Sequence, residues 1–246
     1  MKRVHCIAML LFTIMLLPAY SEEALDPLSD QRLVTGIRGQ QYLYQTRIED
    51  ARKELDYYRG LEEILKKTAA EPEKYTKECI RTIFQAISGS KLQQNVTADL
   101  LGFTVKYNPS IKKYVHETTI TVQAKLEGGR DQQFIVPLFS DTLKAQLQAL
   151  GFTVNSSGGT LTLTQVLRVA SQRAPFLGSM KSQRVGGHLS LRTSDGSVAG
   201  SWNNSMAAAH IDIKTATGNA AMLAAKAAAG HISRLILEKY LNDELQ

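Results

Sequence analysis

Cysteine is nearly absent from this chain of 246 residues, which holds only Cys6 and Cys79. Cys6 lies in an apolar stretch at the amino terminus. Once that stretch is removed, Cys79 is alone and no intramolecular disulfide can form. That is unusual for an extracellular eukaryotic domain of this size and fits a bacterial envelope compartment more easily. No cysteine opens the expected mature chain either, so the usual acylation site of a lipoprotein is missing. Beyond the amino-terminal stretch no apolar run is long enough to span a bilayer. No His-x-x-x-His pair or Glu–His cluster has metal-ligand spacing. The basic residues are scattered and no nucleic-acid motif is visible. A disulfide framework, nucleic-acid binding and a metal centre are all excluded as expectations.

What is present at the amino terminus is a secretory grammar. Lys2 and Arg3 precede the apolar run Cys6–Leu17, and Pro18-Ala19-Tyr20-Ser21 places small residues three and one positions before Glu22. This is the order of a signal peptide. The run is shorter than the ~20 residues of a membrane-spanning helix, and acidic residues follow it. Cleavage near Ser21 is expected, giving a soluble periplasmic protein or one held by a partner. Removing 21 of the 246 residues leaves 225, enough for one large domain or two small ones. Loss of Lys2 and Arg3 lowers the formal charge from +6 to +4. So mild an excess suits solubility first, and weak attraction to anionic lipid headgroups or peptidoglycan second.

Four segments follow from the patterning: a signal peptide at 1–21, a flexible leader at 22–39, a helical hairpin region at 40–90 and an α/β domain at 91–246. In the hairpin region, Tyr42, Ile48, Leu55, Tyr58, Leu61 and Leu65 form an apolar stripe among charges. Pro72 breaks it. A second stripe, Tyr75, Cys79, Ile80, Ile83, Phe84 and Ile87, ends at Gly89. After Lys91 the pattern turns to strands. Thr118–Leu126 alternates, Glu127–Arg130 reads as a turn, and Gln133–Phe139 reads as the return strand, with Pro137 marking an edge or bulge. Ser140 caps a short helix carrying Leu143, Leu147 and Leu150, stopped by Gly151. Phe152–Val154 and Thr160–Thr164 read as a second hairpin; Val166–Ala170 fits strand or helix. His188–Thr193 and Ser197–Trp202 flank the Asp195-Gly196 turn of a third hairpin. A long helix from about Asn219 buries Met222, Ala225, Ala229, Ile232, Ile236 and Tyr240. The pentapeptides Leu101–Val105 and Leu150–Val154 are identical, which suggests either duplication or a common helix-to-strand junction.

The expected fold class is therefore α+β: an amino-terminal helical hairpin, β-hairpins with a short central helix, and a long carboxy-terminal helix packed on a mainly antiparallel sheet. The order from Phe134 to Asn242 is a strand, a helix ending in Leu150-Gly-Phe-Thr-Val154, the hairpin Leu189–Trp202 and an Ala-rich helix. It resembles the curli-secretion lipoprotein superfamily, which includes the amino-terminal domain of TolB and the lipoprotein activators of penicillin-binding proteins. Here the turn Ser194-Asp195-Gly196 is shorter than that family's and the lipoprotein cysteine is absent. The resemblance implies a non-enzymatic envelope module that docks to other proteins.

Chemistry leaves few candidates. Ser-x-x-Lys spacing occurs at Ser88/Lys91 and Ser110/Lys113, and Ser201-Trp-Asn203 imitates the Ser-x-Asn element of penicillin-recognising enzymes. The Lys-Thr-Gly element is represented only by Lys214-Thr-Ala-Thr-Gly218, with two residues inserted. His116, His188, His210 and His231 read as ordinary histidines, and Cys79 as a packed thiol. Gly186-Gly187 reads as a turn or bulge. Trp202 is a core anchor or a contact for a partner. No catalytic residue, metal or cofactor is assigned. The leading expectation is an exported structural or assembly factor that binds envelope proteins. The alternatives are a peptidoglycan-active enzyme using Ser88 and Lys91, and a periplasmic protein that binds a small ligand in a pocket.

Overall fold

In the computed structural model the described residues are 27–94, 96–128, 130–172 and 180–245. The expected signal peptide and cleavage site lie outside them. Contacts divide the chain into two units, residues 1–58 and 59–246, with the division falling inside the first helix.

Helix α1 runs from Pro27 to Ala70. The leader expected to be flexible as far as residue 39 is thus helical from Pro27, a residue whose fixed φ and missing N–H suit a first helical position. In the first unit, every described side chain from Tyr42 to Tyr58 is exposed. In the second unit, Leu61, Ile64 and Thr68 of α1 are buried. Thr68 donates to Ile64 O at 2.7 Å and approaches Tyr75 O at 3.5 Å, tying the end of α1 to α2 (Pro72–Ser88).

Two further helices follow where strands were expected to begin, α3 (Val96–Tyr107) and α4 (Pro109–Glu117). Asn108 sets the joint between them. Its Oδ1 accepts from Ile111 N at 3.0 Å, capping α4. Its Nδ2 donates to Thr76 Oγ1 at 3.2 Å and to Tyr240 OH at 3.0 Å. A single cap therefore joins α2, α4 and the end of the last helix.

Strand β1 spans Thr119–Leu126, with Ile120 fully buried. Its expected return strand is instead the start of α5 (Ile135–Ala149), and the helix begins before Ser140. Ile135, Phe139, Leu143 and Leu147 recur every four residues and are all buried. Pro137 falls in the first turn, where no N–H is owed. Gly151, at φ +99°, ends the helix as expected.

Strands β2 (Thr153–Asn155) and β3 (Leu161–Gln172) do not form the expected hairpin. Both run parallel to β1, one on each side of it. The linking residues cross over β1 instead of turning beside it. There a Cβ on Gly159 would lie 2.8 Å from Thr119 O. Strands β4 (Lys181–Thr193) and β5 (Val198–His210) form the third hairpin, antiparallel as expected but longer. The sheet order is β2-β1-β3-β4-β5, with the longer pairings antiparallel.

Helix α6 (Ile213–Leu241) begins at the cap Asp212, whose carboxylate accepts from Thr215 N at 2.7 Å. It packs on β4, β5, α5 and α3. Its buried stripe includes Ala225, Ala229, Ile232 and Ile236, as expected. By length and composition α6 could cross a membrane, contrary to the expectation that no such segment follows the signal, but 61% of its most apolar window is buried in the protein. The α+β class with a carboxy-terminal helix on the sheet is the observed architecture.

Candidate functional site

Alternation along the strands gives the sheet two unlike faces. Leu161, Leu163, Leu167, Val185, Leu189 and Leu191 face the helices and are buried. On the other face Gln123, Lys125, Arg168, Arg184, His188, Arg192, Ser201, Asn203 and Ser205 are exposed. Among the described residues of the second unit, the helices lie on the side of these leucines.

On the open face lies a shallow depression of about 580 Å³ bordered by Lys125, Glu127, Val166, Arg168, His188, Asn203 and Ser205. Arg168 Nε donates to Glu127 Oε2 at 2.6 Å. That hydrogen bond and charge hold the Glu127 carboxyl below the usual range. Ser201 Oγ is 3.3 Å from His188 Nε2, and both residues are exposed. The face is polar and mainly basic. Its strand-borne charges, Lys125, Arg168, Arg184 and Arg192, sit at alternate positions, a pattern legible in the sequence and not singled out there.

The structure separates the residues weighed for penicillin-like chemistry. Ser88 and Lys91 are exposed where α2 ends, in the helical layer. Ser201 and Asn203 lie on the opposite, open face of the sheet. Ser110 is exposed in the first turn of α4. The inserted Lys214–Gly218 segment forms the first turns of α6 and not a strand. Cys79 is fully buried, and burial pushes its thiol above the ordinary value. That keeps it protonated and unsuited to nucleophilic attack.

Trp202 takes up the core role weighed for it in part. It stands on the helix-facing side of β5, half-buried against the core. Its ring stacks on His231 of α6 at 5.4 Å and 14°. Gly200, two residues earlier on the same side, makes room: a Cβ there would lie 2.2 Å from the indole.

The apolar stripe of α1 is the other feature. Tyr42 is 70% exposed, Leu43 51%, Ile48 53% and Leu55 50%. Ile48, Ala51, Leu55 and Tyr58 follow one another at intervals of three and four residues, the spacing of a coiled-coil seam. Arg47, Arg52, Glu54 and Arg59 flank them.

No protein family matches the chain, and no curated protein matches it. Among solved structures, a Caulobacter crescentus protein described as a lipoprotein shares 13% identity at a TM-score of 0.36, over 54% of this chain and 96% of its own. A Xanthomonas campestris protein of the DUF330 family shares 13% identity at 0.34, over 52% of this chain and 87% of its own. A minor lipoprotein of Acinetobacter baumannii shares 14% at 0.26, over 52% of this chain and 94% of its own. None of the three is described as belonging to the curli-secretion or TolB groups. Likeness this partial assigns no ligand or partner to the present chain.

Proposed function

We propose that this is an exported cell-envelope protein that works without catalysing a reaction, by holding another protein against the exposed apolar stripe of α1. The observation that carries this reading is the exposure of Ile48, Leu55 and Tyr58 at seam spacing on a helix of 44 residues. Large apolar side chains aligned along one helix face cost free energy in water, at ~25 cal/mol per Å² left uncovered. A partner helix or groove relieves that cost. The signal-peptide grammar supports export, and the separation of Ser88 and Lys91 from Ser201 and Asn203 supports a binding role over penicillin-like chemistry.

In-cell photo-cross-linking tests the reading. A photoreactive residue at Leu55 should give a discrete adduct with a protein partner. The same residue at Lys53, on the opposite side of the helix, should give none. Equal yields at the two positions, or no adduct at Leu55, overturn the proposal.

A further inference from the structure

Among the described residues, strand β5 ends the sheet order, with β4 on one side and no strand on the other. An edge strand turns alternate backbone N–H and C=O groups away from its sheet, and natural proteins guard such edges with charges, proline or bulges. This edge is long and almost unguarded. Its 13 residues, Val198–His210, include no Asp, Glu, Lys, Arg or Pro. One register shift sits near its start, where Leu191 pairs with Gly200 and Arg192 with Val198. From Gly200 to His210 the register with β4 is unbroken. Strand β4, by contrast, carries Lys181, Arg184 and Arg192.

The side chains along the edge are also incompletely covered. Trp202 and Met206 lie on the helix-facing side of β5, four residues apart, and each is only half-buried. Between them Asn204 is buried, with Nδ2 donating to Ala224 O of α6 at 2.6 Å. Asn204 thereby anchors the strand to the helix and fixes how the edge is presented.

From these features we infer that β5 pairs antiparallel with β5 of a second copy of this chain, joining two five-stranded sheets across a two-fold axis near Asn204. The occupant is argued from charge and symmetry. A two-fold contact sets the same segment against itself, so a charged edge would place like charges together, and this edge has none. With the axis near Asn204, Trp202 of one copy comes beside Met206 of the other, giving both the cover they lack and a sulfur–aromatic contact. The inference is independent of the α1 reading, and the two fail separately.

Sedimentation equilibrium on the purified exported chain is the test. The expected result is a dimer that dissociates on dilution. Because Trp202 is the only tryptophan, its emission should shift to the red as the dimer dissociates. Asn203→Lys with Ser205→Lys charges the edge from the exposed face. This variant should be monomeric at concentrations where the parent chain is dimeric, with an unchanged circular-dichroism spectrum. Ile48→Asp with Leu55→Asp should stay dimeric. A parent chain monomeric at every concentration overturns the inference, as does a dimer that survives the lysine pair or is lost with the α1 variant. Should the lysine pair fail to fold, Asn203→Cys with Ser205→Cys replaces it, since an axis at Asn204 sets residue 203 of one copy directly opposite residue 205 of the other, and Cys79 is fully buried and does not compete. Oxidation should then give a covalent dimer, and its absence overturns the inference.

Discussion

Gln165 lies fully buried on β3 at the place where the ladder to β4 opens. Paired residues resume at Arg168 and Gly186, leaving Val166 and Leu167 outside the ladder. Gln165 Nε2 fills the gap, donating to Val166 O at 3.0 Å and to His188 O at 3.2 Å. Gly187 makes the opening possible: its φ is +149°, and a Cβ there would lie 2.0 Å from Val166 O. Gln165→Leu should therefore destabilise the protein by about 1 kcal/mol in chemical denaturation, because the partly buried carbonyls of Val166 and His188 lose this donor while the partnerless Gln165 Oε1 is removed with it. Gln123→Leu, exposed on β1, should stay within about 0.5 kcal/mol. His231 carries a second consequence at this scale. Burial, and secondarily the charge of Arg234, holds its imidazole below the usual 6.5. As pH falls, the unfolded chain binds that proton before the folded protein does. The stability due to this group is thus full above the unfolded value and is lost as pH drops through the folded one. Denaturation midpoints of the parent chain should fall more steeply than those of His231→Gln on moving from pH 7 toward pH 5. Equal slopes would show that the stacked imidazole is not held neutral.

Helix α6 contributes much of the core against the sheet, and one substitution tests that docking. Ile232 is fully buried, so Ile232→Asp should leave an unpaired carboxylate among apolar groups and cost several kcal/mol, on the scale of about 3–5 for a broken buried pair. Lys226→Ala, on the exposed side, should cost about 0.5 kcal/mol or less. Asn108→Ala should lie between them, at about 1–2 kcal/mol, because it removes the cap of α4 and the tie to Thr76 and Tyr240. Elements whose pattern is local were legible in the chain: the stripe of α6, the Asp195-Gly196 hairpin, the stop at Gly151. Elements decided by distant packing were not. Phe134-Ile-Val-Pro-Leu-Phe139 is as apolar as a strand, and only its continuation to Leu143 and Leu147 reveals the helical period. The pentapeptide shared by 101–105 and 150–154 shows the limit directly. Its first copy lies wholly inside α3, while its second ends α5 and starts β2. Gly102 stays helical, with its would-be Cβ 3.5 Å from Leu150, whereas Gly151 takes φ +99°. The crossing from β2 to β3 over β1 was equally hidden, because nothing in a Ser-Ser-Gly-Gly turn distinguishes a hairpin from a crossover.

At the scale of the molecule, three exposed features stand out among the described residues. The sheet offers an open basic face and an unguarded edge, and α1 offers an apolar stripe. The candidate nucleophiles are scattered or buried, as with Ser88 and Cys79. The stripe is legible in the sequence as one face of an amphipathic helix, and the structure leaves every described side chain from Tyr42 to Tyr58 exposed. Ile48 and Leu55 belong to the first unit and take no part in the core that begins at Leu61. Replacing both with Asp should therefore leave the unfolding of the 59–246 unit within about 0.5 kcal/mol of the parent. The same double variant decides the function. Placed as the only copy in the source organism, Ile48→Asp with Leu55→Asp should accumulate normally and give the same defect as deletion of the gene. Full restoration of the parent behaviour by this variant would contradict a role that depends on the α1 stripe.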